Sequence, residues 1–170
     1  MKPFRSPLPA LILALCVSGT MVGSTLATSV DHNNPPPSLV VEHAEILFSS
    51  TGDNRVEGYL AIWNGTQIQA NLTAITSEVF NSGEIYRNVF GTIEAVRGGV
   101  FIPGHAELKM SGSGVYLVLQ EPTLPFNQIE RVVLTLDFEG GTQLSVPARI
   151  VRRDEDLTDH RHGEGDAFAR

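Results

Sequence analysis

The sequence predicts an all-β domain, an antiparallel β-sandwich, carried behind an export leader. Three observations carry that prediction. Long apolar segments alternate with a period of two, turn-forming clusters separate most of them, and no stretch combines a helical apolar period with caps. In RVVLTLDF (131–138), Val132, Leu134, Leu136 and Phe138 alternate with Arg131, Val133, Thr135 and Asp137. In QLSVPARIV (143–151) the same period puts Leu144, Val146, Ala148 and Ile150 on one face. Strand side chains point alternately to opposite faces, so each pattern implies one buried and one wetter side.

Along the chain, the first segment is a leader rather than part of the fold. MKPFRSP carries two positive charges, LPALILALCVSGTMVG is apolar, and STLATS supplies small residues for cleavage. That order is a secretory signal peptide over 1–27, and the apolar run, broken at Ser18–Thr20, is short for a spanning helix. Cleavage after Ala27 removes the single cysteine, Cys16, leaving no thiol for a disulfide, metal site or nucleophile. Lipoprotein processing before Cys16 is disfavoured by the bulky Leu15 in front of it. The predicted location is periplasmic, with no membrane span once the leader is removed.

Residues 28–38 contain DHNNPPPS, whose three prolines favour an extended, stiff linker. The folded domain is predicted over 39–151. Its strands are LVVEHAEILF (39–48), EGYLAIWN (57–64), ANLTAIT (70–76), EIYRNVF (84–90), VFIP (100–103), AELKM (106–110), VYLVLQ (115–120) and the two segments above. STGDN, NGT, NSG, RGG, SGSG and EGG read as turns between them. Pro147 lacks a ladder donor, so the last segment is predicted as an edge strand or a bulged one. Residues 152–170, RRDEDLTDHRHGEGDAFAR, are charged and lack an apolar period, which predicts a disordered tail.

The chain of 170 residues has a formal charge of −7. Loss of Lys2 and Arg5 with the leader makes the exported form more acidic still, which argues against nucleic acid and anionic lipid as partners. No nucleophile elbow, phosphate-cradling loop or HExxH pair is present, so no enzyme is predicted.

Candidate sites are few. On a strand, residues two apart share a face, which groups Tyr86 with Asn88 and Tyr116 with Val118. These read either as a functional face or as ordinary strand surface with the hydroxyls in water. His160 and His162 stand two apart among Asp159, Glu164 and Asp166, a donor set suited to Cu(II), Zn(II) or Ni(II). His32 becomes the third residue of the mature chain if cleavage follows Ser29, which would create an amine–amide–imidazole chelate. His43 in the first strand and His105 in the PGH turn are single histidines, for which a structural or surface role is the simpler reading.

The order GYLAIWN, GEIYRNVF, GGVFIPGHAELKMSGSGVYLVL, VVLTLDFEGGTQLSVPARI resembles the periplasmic copper chaperones of the PCu(A)C family over roughly 40–151. The resemblance implies a cupredoxin-like Greek-key sandwich, copper as cargo, and a partner in respiratory oxidase assembly or another envelope protein. It also implies a metal site built from a His-x-Met pair, a further Met, and a second His-x-Met pair. Those positions fall on Tyr86 and Asn88, near Ala95 to Arg97, and on Tyr116 and Val118. None carries the expected ligand. Met110 is the single thioether left after leader removal, and Cu(I) prefers thioether, thiolate and imidazole. Two functions follow: metal handling through the histidines outside the motif, or a metal-free interaction module on the same scaffold.

Overall fold

The structure, a computed structural model, describes residues 31, 34–48, 55–152, 157 and 158. The expected leader, the STGDN turn, His32, His160 and His162 lie outside the described residues. The described residues form β1 (Leu39–Leu47), β2 (Arg55–Asn64), β3 (Ala70–Ser77), β4 (Phe80–Val89), β5 (Thr92–Ala95), β6 (Val100–Ile102), β7 (Ala106–Lys109), β8 (Val115–Pro122), β9 (Val132–Phe138) and β10 (Gln143–Val151). A single 3-10 turn at Phe126–Gln128 is the helical content among them. The fold is all-β, and no described helix is long and apolar enough to cross a membrane.

The strands do not form the expected two-sheet sandwich. Pairing runs β4–β8–β2–β1–β10–β9–β3, and β3 meets β4 again at Ser77↔Phe80, closing seven strands into a barrel. β5 adds to β4, β6 to β3 and β7 to β2 outside that ring. The arrangement is also not wholly antiparallel, because β1 and β10 run parallel from Glu45↔Arg149 to Leu47↔Val151. Alternation tells which side of a strand is buried, and it is the same for a sandwich and a barrel. Closure and strand direction are set by pairings between distant segments.

The inward faces fill the barrel. β9 alternates buried and half-buried along its whole length, with Val132, Leu134, Leu136 and Phe138 inside as the pattern predicted. Ile46, Leu60, Ile62, Leu72, Ile75, Leu117 and Leu119 are among the other most deeply buried side chains. Each such side chain contributes about 1.5–3 kcal/mol relative to an exposed one. The segment just before β1 is tied down where the Trp63 indole N–H donates to the Pro36 carbonyl at 3.0 Å.

Three local expectations change. NSG (81–83) is not a turn but part of β4. Its glycine serves the barrel seam: a Cβ on Gly83 would stand 2.3 Å from the Ile75 carbonyl oxygen of β3. Pro147 is not in an edge strand, since β10 lies between β1 and β9. It pairs with Val133 of β9, while pairing with β1 begins only at Arg149, so proline costs no ladder bond to β1. β5 had no sequence signal because all four residues are exposed. Its hairpin turns at Phe90 and Gly91, with φ of 50° and 87°. Two positive angles favour Asn-Gly, and a phenylalanine in the first position hides the turn.

Candidate functional site

The outward faces of five barrel strands align their side chains in rows. Tyr86 of β4 stands opposite Tyr116 of β8. One register step past Gly58↔Leu117 brings Tyr59 of β2 beside Tyr116. Tyr59 faces Glu45 of β1, and Glu45 faces Arg149 of β10. The neighbouring row reads Glu84, Val118, Glu57, Leu47 and Val151. All three tyrosines of the chain therefore occupy one stripe. Sequence reasoning grouped Tyr86 with Asn88 and Tyr116 with Val118; the register joins these two pairs into one surface.

The middle of that surface is packed, and its β4 and β10 ends are open to solvent. Tyr116 is 3% exposed and Val118 is fully buried, in a second apolar cluster with Leu47, Tyr59 and Val151. The rings of Tyr86 and Tyr116 stack with centroids 6.2 Å apart and planes 25° apart. The Tyr86 hydroxyl donates to the Glu84 carboxylate at 2.8 Å, and the Tyr59 hydroxyl donates to Glu57. Neighbouring strands therefore cover the Tyr116 ring, whereas the Tyr86 hydroxyl meets Glu84 at the exposed edge of the row. The hydrogen bond to Glu84 raises the Tyr86 pKa, with burial and the Glu84 charge adding to it and Arg55 opposing. Asn88 is committed to turns: its Oδ1 accepts from the Gly91 N–H at 2.9 Å, and its amide donates to the Gly112 carbonyl at 3.4 Å.

The remaining candidates divide. Ala95 pairs with Tyr86, and it lines one groove with Arg97, Glu84, Thr73 and Ile75. His105 is exposed in the β6–β7 turn, where its backbone N–H donates to the Thr66 carbonyl at 3.1 Å. That turn lies beyond Asn64, about 17 Å along β2 from the tyrosine row at the usual strand rise. His43 and Met110 do come together, lining one cleft of about 370 Å³ with Glu57 and Tyr59. Among the described residues, no group of three or more His, Cys, Asp or Glu is placed to hold a metal. The residues at the resemblance's ligand positions do not fit Cu(I): phenol, amide and alkyl groups replace every soft donor.

Sequence reasoning missed the anchor beside this cleft. Glu45 is 3% exposed. It accepts from the Thr158 N–H at 3.0 Å, from the Thr158 hydroxyl, and from the Arg149 guanidinium through Nε at 3.0 Å and Nη2. Burial alone would raise its pKa, but the Thr158 bonds and Arg149 outweigh burial and lower it. Leu157 packs on the apolar cluster next to it. Two residues of the segment expected to be a free tail therefore sit on the barrel. The signal available was an acid inside an apolar strand, LVVEHAEIL, which called for a partner.

A depressed folded-state pKa fixes the sign of the pH dependence. The Glu45 contribution is whole above the ordinary value of 4.5 and is lost as pH falls through the lower folded value. Glu45→Gln is expected to cost about 2 kcal/mol at pH 7, the range for hydrogen bonds to a charged group. The loss should shrink towards pH 3. Urea unfolding of both proteins across that range measures it, and an equal loss at every pH would show that the charge is not what Thr158 and Arg149 recognise.

No known family profile matches the chain, and no curated protein matches it by sequence. Solved structures do match. The apo PCuAC domain from PmoF1 superposes with a TM-score of 0.59 at 21% identity, over 68% of this chain and 95% of that one. The copper-bound PCuAC domain from PmoF2 gives 0.57 at 17%, over 68% and 94%. Cu(I)-DR1885 from Deinococcus radiodurans gives 0.56 at 17%, over 66% and 77%. The barrel is the PCuAC fold.

Proposed function

We propose, from its PCuAC fold, that this is an exported copper-chaperone-like protein that handles copper in support of respiratory oxidase assembly. The observation that carries the reading is the likeness to PCuAC domains, two of which hold copper by their own descriptions. The precursor carries a leader over 1–27, and the mature, periplasmic protein has a linker over 28–38, the barrel domain over 39–151 and a tail over 152–170. It works as a carrier and not as an enzyme.

Residue chemistry decides which groups take the metal. Tyr86, Asn88, Tyr116 and Val118 offer no soft donor, so the copper ligands are the histidines outside the family positions, above all His160 and His162, with His32 at the other end. Imidazole suits Cu(II), and it must be neutral to bind. Capture is therefore expected to fall as pH drops below about 6.5, the ordinary histidine value.

Competitive titration of the full mature chain with Cu(I) and Cu(II) against chelators tests this. Stoichiometric Cu(II) binding that is lost in His160→Gln/His162→Gln supports the reading. A wild-type chain that binds neither ion overturns it and favours the second reading, a metal-free interaction module. The observation behind that alternative is the packed tyrosine stripe at the family's ligand positions.

A further inference from the structure

The two end tyrosines of the row are built alike. Glu57-Gly58-Tyr59 on β2 and Glu84-Ile85-Tyr86 on β4 each place a carboxylate two residues before a phenol, on one face of the strand. Each pair closes on itself: the Tyr59 hydroxyl donates to Glu57, and the Tyr86 hydroxyl donates to Glu84 at 2.8 Å. Tyr116 stands between them, and two residues before it the chain has Gly114. Its ring stacks on Tyr86 with centroids 6.2 Å apart, and it packs with Tyr59 in one apolar cluster. Two phenols with a bonded carboxylate thus flank a third phenol that touches both.

That arrangement suits the loss of one electron. A phenol that loses an electron becomes strongly acidic, and a carboxylate already bonded to its O–H accepts the proton without rearrangement. Contact between the rings carries the electron from one tyrosine to the next. The surroundings set a direction. Tyr86 is at the solvent end of the row and meets an oxidant first. The Arg55 guanidinium stands 6.0 Å from its ring centroid. A cation beside a ring is held by the ring's electron density, so it disfavours a lasting loss of an electron there. Tyr59 is 9% exposed, with Glu57 at its hydroxyl and Glu45 opposite on β1. Of the cations near it, Arg149 is engaged by Glu45, and Lys109 is solvent-exposed.

We propose that the tyrosine row is a one-electron oxidation site that moves a radical from Tyr86 through Tyr116 to Tyr59. The oxidant is a peroxide-derived radical. It takes an electron from Tyr86 and becomes an anion, while the Tyr86 proton passes to Glu84. An electron from Tyr59 then crosses Tyr116 and refills Tyr86, which recovers its proton from Glu84. The Tyr59 proton passes to Glu57. The net product is a Tyr59 phenoxyl radical beside a protonated Glu57, under cover of the neighbouring strands. A one-electron donor of the ascorbate class restores the row, and the Glu57 proton returns to Tyr59. No metal ion takes part, so this activity stands apart from the copper reading.

The full mature chain and its Tyr116→Phe, Tyr59→Phe and Glu57→Gln variants are oxidised, without copper, by flash-generated tris(bipyridine)ruthenium(III). The tyrosyl radical is followed by its absorbance and by electron paramagnetic resonance. The wild-type radical is expected to outlive that of every variant at least about tenfold. Tyr116→Phe is the decisive variant, because it keeps a ring in place and both carboxylate-bound phenols, and interrupts only the passage between them. A radical in Tyr116→Phe that lasts as long as in the wild type overturns the transfer. Equal lifetimes in the wild type and Glu57→Gln overturn Glu57 as the proton acceptor. A wild type that forms no tyrosyl radical overturns the proposal outright. Should Glu57→Gln fail to fold, Tyr116→Phe decides.

Discussion

Asn64→Ala is expected to lower the unfolding free energy by about 3 kcal/mol, from several buried polar groups losing their partner at once. Asn64 is fully buried at the end of β2. Its amide donates to the carbonyls of Ile68, Ile102 and Pro103 at 2.9, 3.0 and 3.1 Å. Its Oδ1 accepts from the Thr66 N–H at 3.2 Å and from the Thr66 hydroxyl at 2.7 Å. One side chain therefore fastens the β2–β3 loop to the β6–β7 turn, the two segments that cap this end of the barrel. Urea unfolding measures the loss. A change under about 1 kcal/mol would mean that water replaces the amide at little cost.

Tyr116→Ala is the second large effect, at about 3 kcal/mol, the lower end of the range for truncating a buried aromatic. The ring is 3% exposed and stacks on Tyr86, so its removal opens a cavity under that ring and beside Val118. The copper affinity of the full chain is expected to stay unchanged, because the phenol at this position packs and does not ligate. The two readouts separate the alternatives. A loss of stability alone places Tyr116 in the barrel's outer cluster, whereas a loss of copper affinity in a folded variant would return the family position to the metal site.

Much of the barrel was legible because burial is written into alternation. The β9 and β10 segments and their inward residues followed from the period-two pattern, and β3 followed from its β-branched content. What stayed hidden had no local signature. Gly83 read as part of a turn, yet it is a strand residue pressed against the Ile75 carbonyl. β5 gave no pattern, since nothing covers it. The substituted positions can be counted along the chain, and the chemistry of their side chains is enough to exclude a soft-metal site. Their meeting in one stripe with Tyr59 cannot be counted, because it depends on the registers of β4, β8 and β2.

The sequence by itself determined the class of fold, the inward face of most strands, the acidic character of the chain and the absence of soft ligands at Tyr86, Asn88, Tyr116 and Val118. These are properties of residue types and short periods, and neighbouring residues suffice to express them. The tertiary structure alone decided that the sheet closes into a barrel with one parallel pair, that the three tyrosines form a packed row, and that Thr158 is fastened to Glu45 113 residues away. Each of these joins segments far apart in the chain. Their choice is made by the summed packing of the whole barrel, a quantity that no single stretch of sequence contains.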